Sequence, residues 1–253
     1  MREPWRAHPL AWIHRAEARA IAAELRAPLR TFDGQGGLLR LSDPVMLRVT
    51  ETLTRAGIPY IGPGAPVMQL CYDKRAATER VAAAGIACPQ DATSFPAIVK
   101  PRRGSDSLGV RIARGGPITN TEQWLAQELV VGAELTVAAL HGAVGSALHI
   151  DLPDGTLYSF ARKYLLRARR EPLADAALAQ RVRETALRIA ALLGVDWAAR
   201  VDFIYDRRSD RLCFLECDVA PLIGIGSAFS DSLLAAGIPR AEQLRRLILG
   251  ACS

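Results

Sequence analysis

Apolar residues recur with a helical period in several stretches of this chain, and residues typical of helix ends bound most of these stretches. A proline follows the first stretch, Asp43 and Asp73 begin two later ones, and glycines end others. Aspartate caps free N–H groups at a helix start, and glycine adopts the left-handed backbone that ends a helix. The pattern predicts helices at residues 15–26, 43–57, 73–84, 119–126, 174–193 and 240–249.

Shorter runs rich in β-branched and other apolar residues predict strands between these helices. Two runs, 199–205 and 212–216, flank a polar turn and predict a hairpin. The other predicted strands are 58–61, 97–100, 110–113, 128–131, 134–140, 143–150 and 157–160. The mixture predicts an α/β (α+β) chain that begins with a small α/β unit over residues 1–70.

The choice of cations is the most informative feature of the composition. Of the 32 lysine and arginine residues, only three are lysine: Lys74, Lys100 and Lys163. A compact ammonium makes a point contact with phosphate that a planar guanidinium does not reproduce. We therefore expect these three positions to bind phosphate, with chance placement as the alternative.

Charge and hydropathy argue against several classes of partner. The net charge is +6, but the arginines are scattered, so nucleic-acid binding is not expected. No apolar run reaches the ~20 residues that span a bilayer, and the first residues lack the apolar core of a signal peptide. The sequence predicts a cytoplasmic protein without a membrane partner, whose five cysteines are buried thiols rather than zinc ligands.

The loop after the predicted strand 97–100 is the first segment with the chemistry of a binding site. Lys100 ends the strand, and Ser105 and Ser107 follow among glycines. Glycines let backbone N–H groups approach phosphate oxygens, and serine hydroxyls add donors. The segment predicts a phosphate-binding loop, and a plain hairpin turn is the alternative.

A second segment runs from Glu128 through the apolar Val131 to Glu134. An apolar slot beside an exposed backbone edge suits adenine, and a carboxylate suits paired ribose hydroxyls. Taken alone, two glutamates near a strand end are more often solvated.

The predicted hairpin carries a third group of polar residues. A period of two places Arg200 and Asp202 on one face of the first strand, and Glu216 and Asp218 on one face of the second. Three carboxylates repel one another unless a cation lies between them, and hard oxygen ligands suit Mg²⁺. The residues predict a magnesium site, with an exposed salt-bridged hairpin as the alternative.

Taken in order, these segments resemble the ATP-grasp superfamily, and specifically the D-alanine–D-alanine ligase family. The matching segments are 73–74, 95–101, 104–110, 128–134, 163–164, 200–203, 216–218 and Ser227. The resemblance implies an ATP-grasp fold whose two α+β lobes, residues 71–127 and 128–253, sandwich ATP. Residues 1–70 are then a shortened N-terminal domain.

The resemblance also implies a role for each matching residue. The implied ATP-binding residues are Lys74, Lys100, Glu128, Val131, Glu134 and Lys163. The implied ligands of two Mg²⁺ ions are Asp202, Glu216 and Asp218. The implied catalytic residues are Arg200, Ser105, Ser107 and Lys163, and the substrate-binding ones are Ser227 and Leu222.

The function implied is ADP-forming ligation of a small-molecule carboxylate to an amine through an acyl phosphate. Asp218 stands where the family usually has asparagine, Leu222 stands where it has glycine, and the family's first-substrate signature is missing from the N-terminal region. These departures favour a specialised ligase of amino acids or small peptides, with a homodimer as one oligomeric state. The alternatives are a degenerate ATP-binding partner protein and a small-molecule kinase.

Overall fold

The computed structural model describes residues 11–27, 37–41, 43–105, 107–116, 120–153 and 168–249. Lys163 and the predicted strand 157–160 lie outside these ranges. No helix within the described ranges is long and apolar enough to cross a membrane.

Four helices precede the first strand in the part of the chain that the structure describes. They are α1 (Ala11–Glu24), α2 (Asp43–Ala56), α3 (Ala65–Tyr72) and α4 (Lys74–Ala83). Helix α2 buries Val45, Val49 and Leu53 on one side, as its helical period predicted. The predicted cap of α4 is confirmed, because Asp73 Oδ1 accepts a hydrogen bond of 3.3 Å from Ala76 N.

One helix was missed here and one predicted strand is wrong. The sequence predicts no helix where α3 lies, although Pro66, the second residue of α3, suits a first helical turn because proline donates no N–H group there. The predicted strand 58–61 is reduced to a bridge between Ile61 and Leu38, because the segment has only this short partner in the described residues.

The first sheet is antiparallel and has the order β2-β1-β3. Its strands are β1 (Ala97–Pro101), β2 (Arg111–Ala113) and β3 (Trp124–Glu128). The predicted helix at 119–126 is wrong, because β3 pairs with β1 over all five of its residues. This pairing satisfies the backbone of β1 and overrides the helical preference of alanine and glutamine. The predicted strand 128–131 also fails, since β3 ends at Glu128.

The second sheet has the order β7-β6-β4-β8-β9, and β5 pairs with β4 beside this path. Its strands are β4 (Ala133–Leu140), β5 (Ala143–Val144), β6 (Leu148–Ile150), β7 (Arg170–Pro172), β8 (Ala198–Asp206) and β9 (Arg211–Asp218). The predicted hairpin is confirmed as β8 and β9, with Arg200 opposite Asp218 and Asp202 opposite Glu216.

Two clusters of buried residues hold the second sheet to the helices. In the larger cluster, Val182 and Ile189 of α5 (Ala176–Leu193) join Val201, Phe203 and Phe214. In the smaller one, Ile21 of α1 packs with Trp197 and residues of α6 (Ala228–Ala235) and α7 (Arg240–Leu249). Helix α1 is thereby fixed against the end of the chain, beside the loop that follows β9.

Candidate functional site

An apolar cavity of about 500 Å³ lies between the two sheets. Ile98 and Ile112 are cross-strand partners on the first sheet, and Ile204 and Leu215 belong to the second. The connecting segment 128–134 closes one side, so Glu128, Val131 and Glu134, which were predicted to bind ATP, all line this cavity. Apolar walls with a few polar groups are typical of a pocket for a planar organic ring.

Sequence reasoning missed Ile98, Ile112, Leu215 and Pro89 as lining residues. Their signal was available in part, because the pairing of Ile98 with Ile112 follows from two adjacent apolar strands. Pro89 carried no signal, since it reaches the cavity only through the fold.

Glu128, which was predicted to bind ATP, forms hydrogen bonds with other residues of the protein. Its Oε1 atom lies 2.5 Å from Arg211 Nη2 and 3.0 Å from Gln90 N. The hydrogen bond from Arg211 holds the pKa of the Glu128 carboxyl below its usual value. Glu128 therefore ties the end of β3 to β9 and to the segment before β1. Val131 is 72 % exposed at the rim.

A middle cavity of about 130 Å³ adjoins the apolar one and carries the predicted phosphate residues. Lys74, Lys100, Ser105 and Ser107 line it, together with Glu134 on the opposite side. Lys74 Nζ donates a hydrogen bond to Gly104 O, which links α4 to the glycine loop. The start of that loop is held by Asp73, whose Oδ1 accepts from Arg102 Nε at 2.8 Å.

The two lysines of the middle cavity are buried side by side. Lys74 is 9 % exposed and Lys100 is 8 % exposed. Burial, and then the charge of Lys74, lower the pKa of Lys100 to about 8. The charge of Glu216 offsets part of the repulsion between the two ammonium groups, and a bound phosphate would offset more of it.

Arg200 lies among the three carboxylates that were predicted to bind metal. Its Nε is 2.9 Å from Asp202 Oδ1, its Nη1 is 3.3 Å from Asp218 Oδ2, and its Nη2 is 3.9 Å from Glu216 Oε1. Burial alone would lower the pKa of Arg200, but Asp202 and Asp218 outweigh it and raise that pKa well above its usual value.

The predicted metal ligands lie close together but do not converge on one point. Within the described ranges, no three His, Cys, Asp or Glu side chains form a group that could hold a metal. The donor set nevertheless fits Mg²⁺, because it consists of carboxylate oxygens beside a phosphate-binding cavity. Here the guanidinium of Arg200 balances the charge of these carboxylates.

A third, polar cavity of about 50 Å³ adjoins the middle one. Arg200, Glu216 and Asp218 form one wall, and Leu222 lies in the loop beyond β9. Sequence reasoning missed three N-terminal residues that also line this cavity: His14, Asp43 and Tyr72. Burial, and then the charge of Asp43, raise the pKa of Tyr72. No local motif signals these residues, because they converge only through the packing of three separate helices.

Ser227 has a clear structural role. Its Oγ accepts a hydrogen bond of 3.1 Å from Ser230 N and thereby caps α6. It does not line any of the three cavities described above. Its predicted contact with a substrate carboxylate therefore stays a prediction, and the predicted role of Lys163 lies outside the described residues.

Known proteins resemble this chain in sequence and in fold. Residues 63–249 match the family model described as the D-ala D-ala ligase C-terminus. The D-alanine–D-alanine ligase of Acidiphilium cryptum is 31 % identical over 68 % of this chain. The chain spans 65 % of that relative's length. The D-alanine–D-alanine ligase of Citrifermentans bemidjiense is 30 % identical over 80 % of this chain and 73 % of its own.

Solved structures share the fold at lower sequence identity. The D-alanine–D-alanine ligase of Bacillus anthracis, solved in complex with ATP, superposes with a TM-score of 0.74 at 21 % identity, over 95 % of this chain and 91 % of its own. The VanG D-Ala:D-Ser ligase of Enterococcus faecalis gives 0.68 at 24 % identity, over 82 % and 68 %. The predicted ATP-grasp α+β fold is confirmed by these likenesses.

Proposed function

Because this chain belongs to the D-alanine–D-alanine ligase family, through the C-terminal part that the family model covers, we propose that it is an ATP-dependent, ADP-forming carboxylate–amine ligase. The single observation that carries the proposal is the continuity of the three cavities. Lys100 and Glu134 line both the apolar and the middle cavity, while Lys74 and Ser105 line both the middle and the polar cavity.

Each part of this cleft suits one part of the reaction. The apolar cavity would take adenine, with Glu134 near the ribose hydroxyls, and Lys74 and Lys100 would bind the phosphates. Mg²⁺, bound through oxygens of Asp202, Glu216 and Asp218, would neutralise charge on those phosphates. The serine loop would exclude water from the reacting groups.

The polar cavity would hold the carboxylate that attacks the γ-phosphorus. A bond forms between a carboxylate oxygen and the γ-phosphorus as the bond between that phosphorus and ADP breaks. An amine then attacks the resulting acyl phosphate and displaces inorganic phosphate. Arg200 lines the polar cavity beside Glu216 and Asp218, so its guanidinium is placed to stabilise the oxyanion that develops.

The polar cavity also bears on the substrate class. Asp43 lines the cavity together with Arg200, and its carboxylate suits an ammonium group. We propose an amino acid as the carboxylate substrate.

A degenerate ATP-binding protein is the second candidate, and one observation favours it. Asp218 adds a carboxylate that pairs with Arg200, and this pair competes with both metal binding and oxyanion stabilisation. Such a protein would bind ATP and release no ADP with any acceptor.

The deciding experiment measures ADP release with Mg²⁺ and ATP across pools of L- and D-amino acids and dipeptides. Mass spectrometry of each positive pool identifies the product. ADP together with a new amide supports the ligase, a stable phosphorylated product supports a kinase, and ATP binding without ADP in any pool supports the degenerate protein.

A further inference from the structure

The loop Pro221–Gly224 follows β9 and supplies Leu222 to the polar cavity. Its backbone is held by a side chain of helix α1, some 200 residues earlier in the chain. Glu17 Oε1 accepts hydrogen bonds from Ile223 N at 2.5 Å and from Gly224 N at 2.7 Å. Gly224 also packs closely on this side chain, since a Cβ there would lie 3.4 Å from Glu17 Cγ.

Arg40 completes the arrangement from the segment before α2. Its Nε and Nη2 donate to Glu17 Oε2 at 2.9 and 2.6 Å, and Nη2 also donates to Pro221 O at 2.7 Å. Both side chains are buried, with 6 % of Glu17 and 3 % of Arg40 exposed. One ion pair therefore binds two N–H groups and one carbonyl within four consecutive residues of the loop.

The same helix forms part of the polar cavity. His14 lines that cavity, and Glu17 lies three residues later on the same face of α1. Glu24, further along α1, pairs with Arg240 at 2.7 Å, and Arg240 Nη1 donates to Ile223 O at 2.6 Å. Helix α1 thus contributes one wall of the cavity and fixes the position of another.

We propose that Glu17 and Arg40 are positioning residues that hold the Leu222 wall at a fixed distance from Arg200 and so set the size of the polar cavity. Buried ion pairs contribute little net stability compared with apolar residues of similar volume. Their role here is conformational, because each partner bonds the loop backbone as well as the other. The kinetic part of this proposal rests on the proposed ligase function.

The test compares four proteins: wild type, Glu17→Gln, the double variant Glu17→Leu/Arg40→Met, and the exposed control Asp210→Asn. Amide exchange is followed by NMR at Ile223 and Gly224 and, for comparison, at Phe203 in the core. The double variant keeps the buried volume, so a loss of folding in Glu17→Gln alone does not decide the result.

We expect exchange at Ile223 and Gly224 to become about tenfold faster or more in both Glu17 variants, because a charged acceptor is lost. Exchange at Phe203 should stay unchanged in both variants. In the control protein, exchange should stay unchanged at all three amides. With the carboxylate substrate identified by the ADP screen, its KM should rise about tenfold while the dissociation constant of ATP stays constant, because the loop touches only the polar cavity.

Unchanged exchange at the two loop amides in a folded double variant would overturn the proposal. So would faster exchange with an unaltered KM, or an equal loss of ATP affinity, which would indicate a general structural role. If wild type releases no ADP with any pool, the ligase proposal fails, and the exchange data alone decide whether the pair holds the loop.

Discussion

The two ends of the cleft are built in different ways. At the nucleotide end, most of the residues come from strands and their adjoining loops within residues 98–134, and the others are Lys74, Pro89, residues 149–153 and a few from β8 and β9. At the polar end, His14, Asp43, Tyr72, Arg200 and Leu222 come from five separate segments. The first end is therefore visible in the sequence as contiguous motifs, and the second exists only through tertiary packing.

The family model covers the two ends differently. Its match begins at residue 63 and so includes the nucleotide end, together with Tyr72, Arg200 and Leu222 of the polar end. His14 and Asp43, which also line the polar cavity, precede the matched residues. We expect changes at the nucleotide end to abolish any turnover, and changes at the polar end to alter the choice of substrate.

Lys100→Arg gives the largest expected effect. The charge is kept, but a planar guanidinium does not reproduce the point contact of an ammonium with phosphate, so kcat/KM for ADP release should fall by roughly 10²–10³-fold. Steady-state ADP release checks this, with Arg208→Lys on the exposed β8–β9 turn as the matched control. Wild-type activity in Lys100→Arg would remove Lys100 from the phosphate site.

Asp43→Asn tests the polar end. Loss of a charged partner for the substrate ammonium should raise the KM of the amino-acid substrate by roughly 10–100-fold, and ATP affinity should not change. ADP-release kinetics with varied amino acid, together with ATP titration, separate the two quantities. A loss of ATP affinity of the same size would show that the two ends are not independent.

Gly132→Ala should destabilise the nucleotide end. A Cβ at residue 132 would lie 2.2 Å from Tyr205 O, a backbone atom that cannot move without shifting β8. The free energy of unfolding should fall by ~1–3 kcal/mol, measured by denaturant titration. Gly115→Ala is the control, because a Cβ there has no atom within 4 Å. Equal stability of the two variants would argue against the tight packing of the connecting segment.

The pH dependence of ATP binding should reflect Lys100, whose pKa burial lowers to about 8. Below that pH the ammonium is already charged, so affinity should be constant. Above it, binding must first add a proton, and the association constant should fall by up to about tenfold per pH unit. Calorimetry at pH 8.5 in two buffers of different ionisation enthalpy should detect proton uptake, and Lys100→Met should abolish it. Proton release would contradict the assignment.

Glu128→Gln should have the smallest effect. The carboxylate is about one-third exposed and pairs with Arg211, so its loss should weaken ATP binding only a few-fold and cost roughly 0.5–1 kcal/mol of stability. Thermal melting and ATP titration measure both. A large loss of ATP affinity with normal stability would instead support the direct contact between Glu128 and ATP that the sequence predicts.

The sequence predicts parts of the fold that depend on local pattern and misses parts that depend on pairing. The β8–β9 hairpin was predictable, because two runs of strand-forming residues flank a polar turn, but the register shift between Asp202 and Phe203 was not. The predicted helix over β3 is wrong, because its residues favour helix locally and only pairing with β1 makes it a strand. The sequence predicts that Arg200 lies near three carboxylates. It does not predict the salt bridges that Arg200 forms with Asp202 and Asp218.

Isotope transfer tests most directly the claim that the two ends act in one reaction. The carboxylate substrate is labelled with ¹⁸O and turned over with Mg²⁺ and ATP, and the inorganic phosphate released is examined by mass spectrometry. The account predicts that one labelled oxygen per turnover appears in phosphate, since the carboxylate oxygen bonds to the γ-phosphorus before the amine displaces it. Amide formation with unlabelled phosphate would contradict an acyl phosphate, and with it the proposed joining of the two ends.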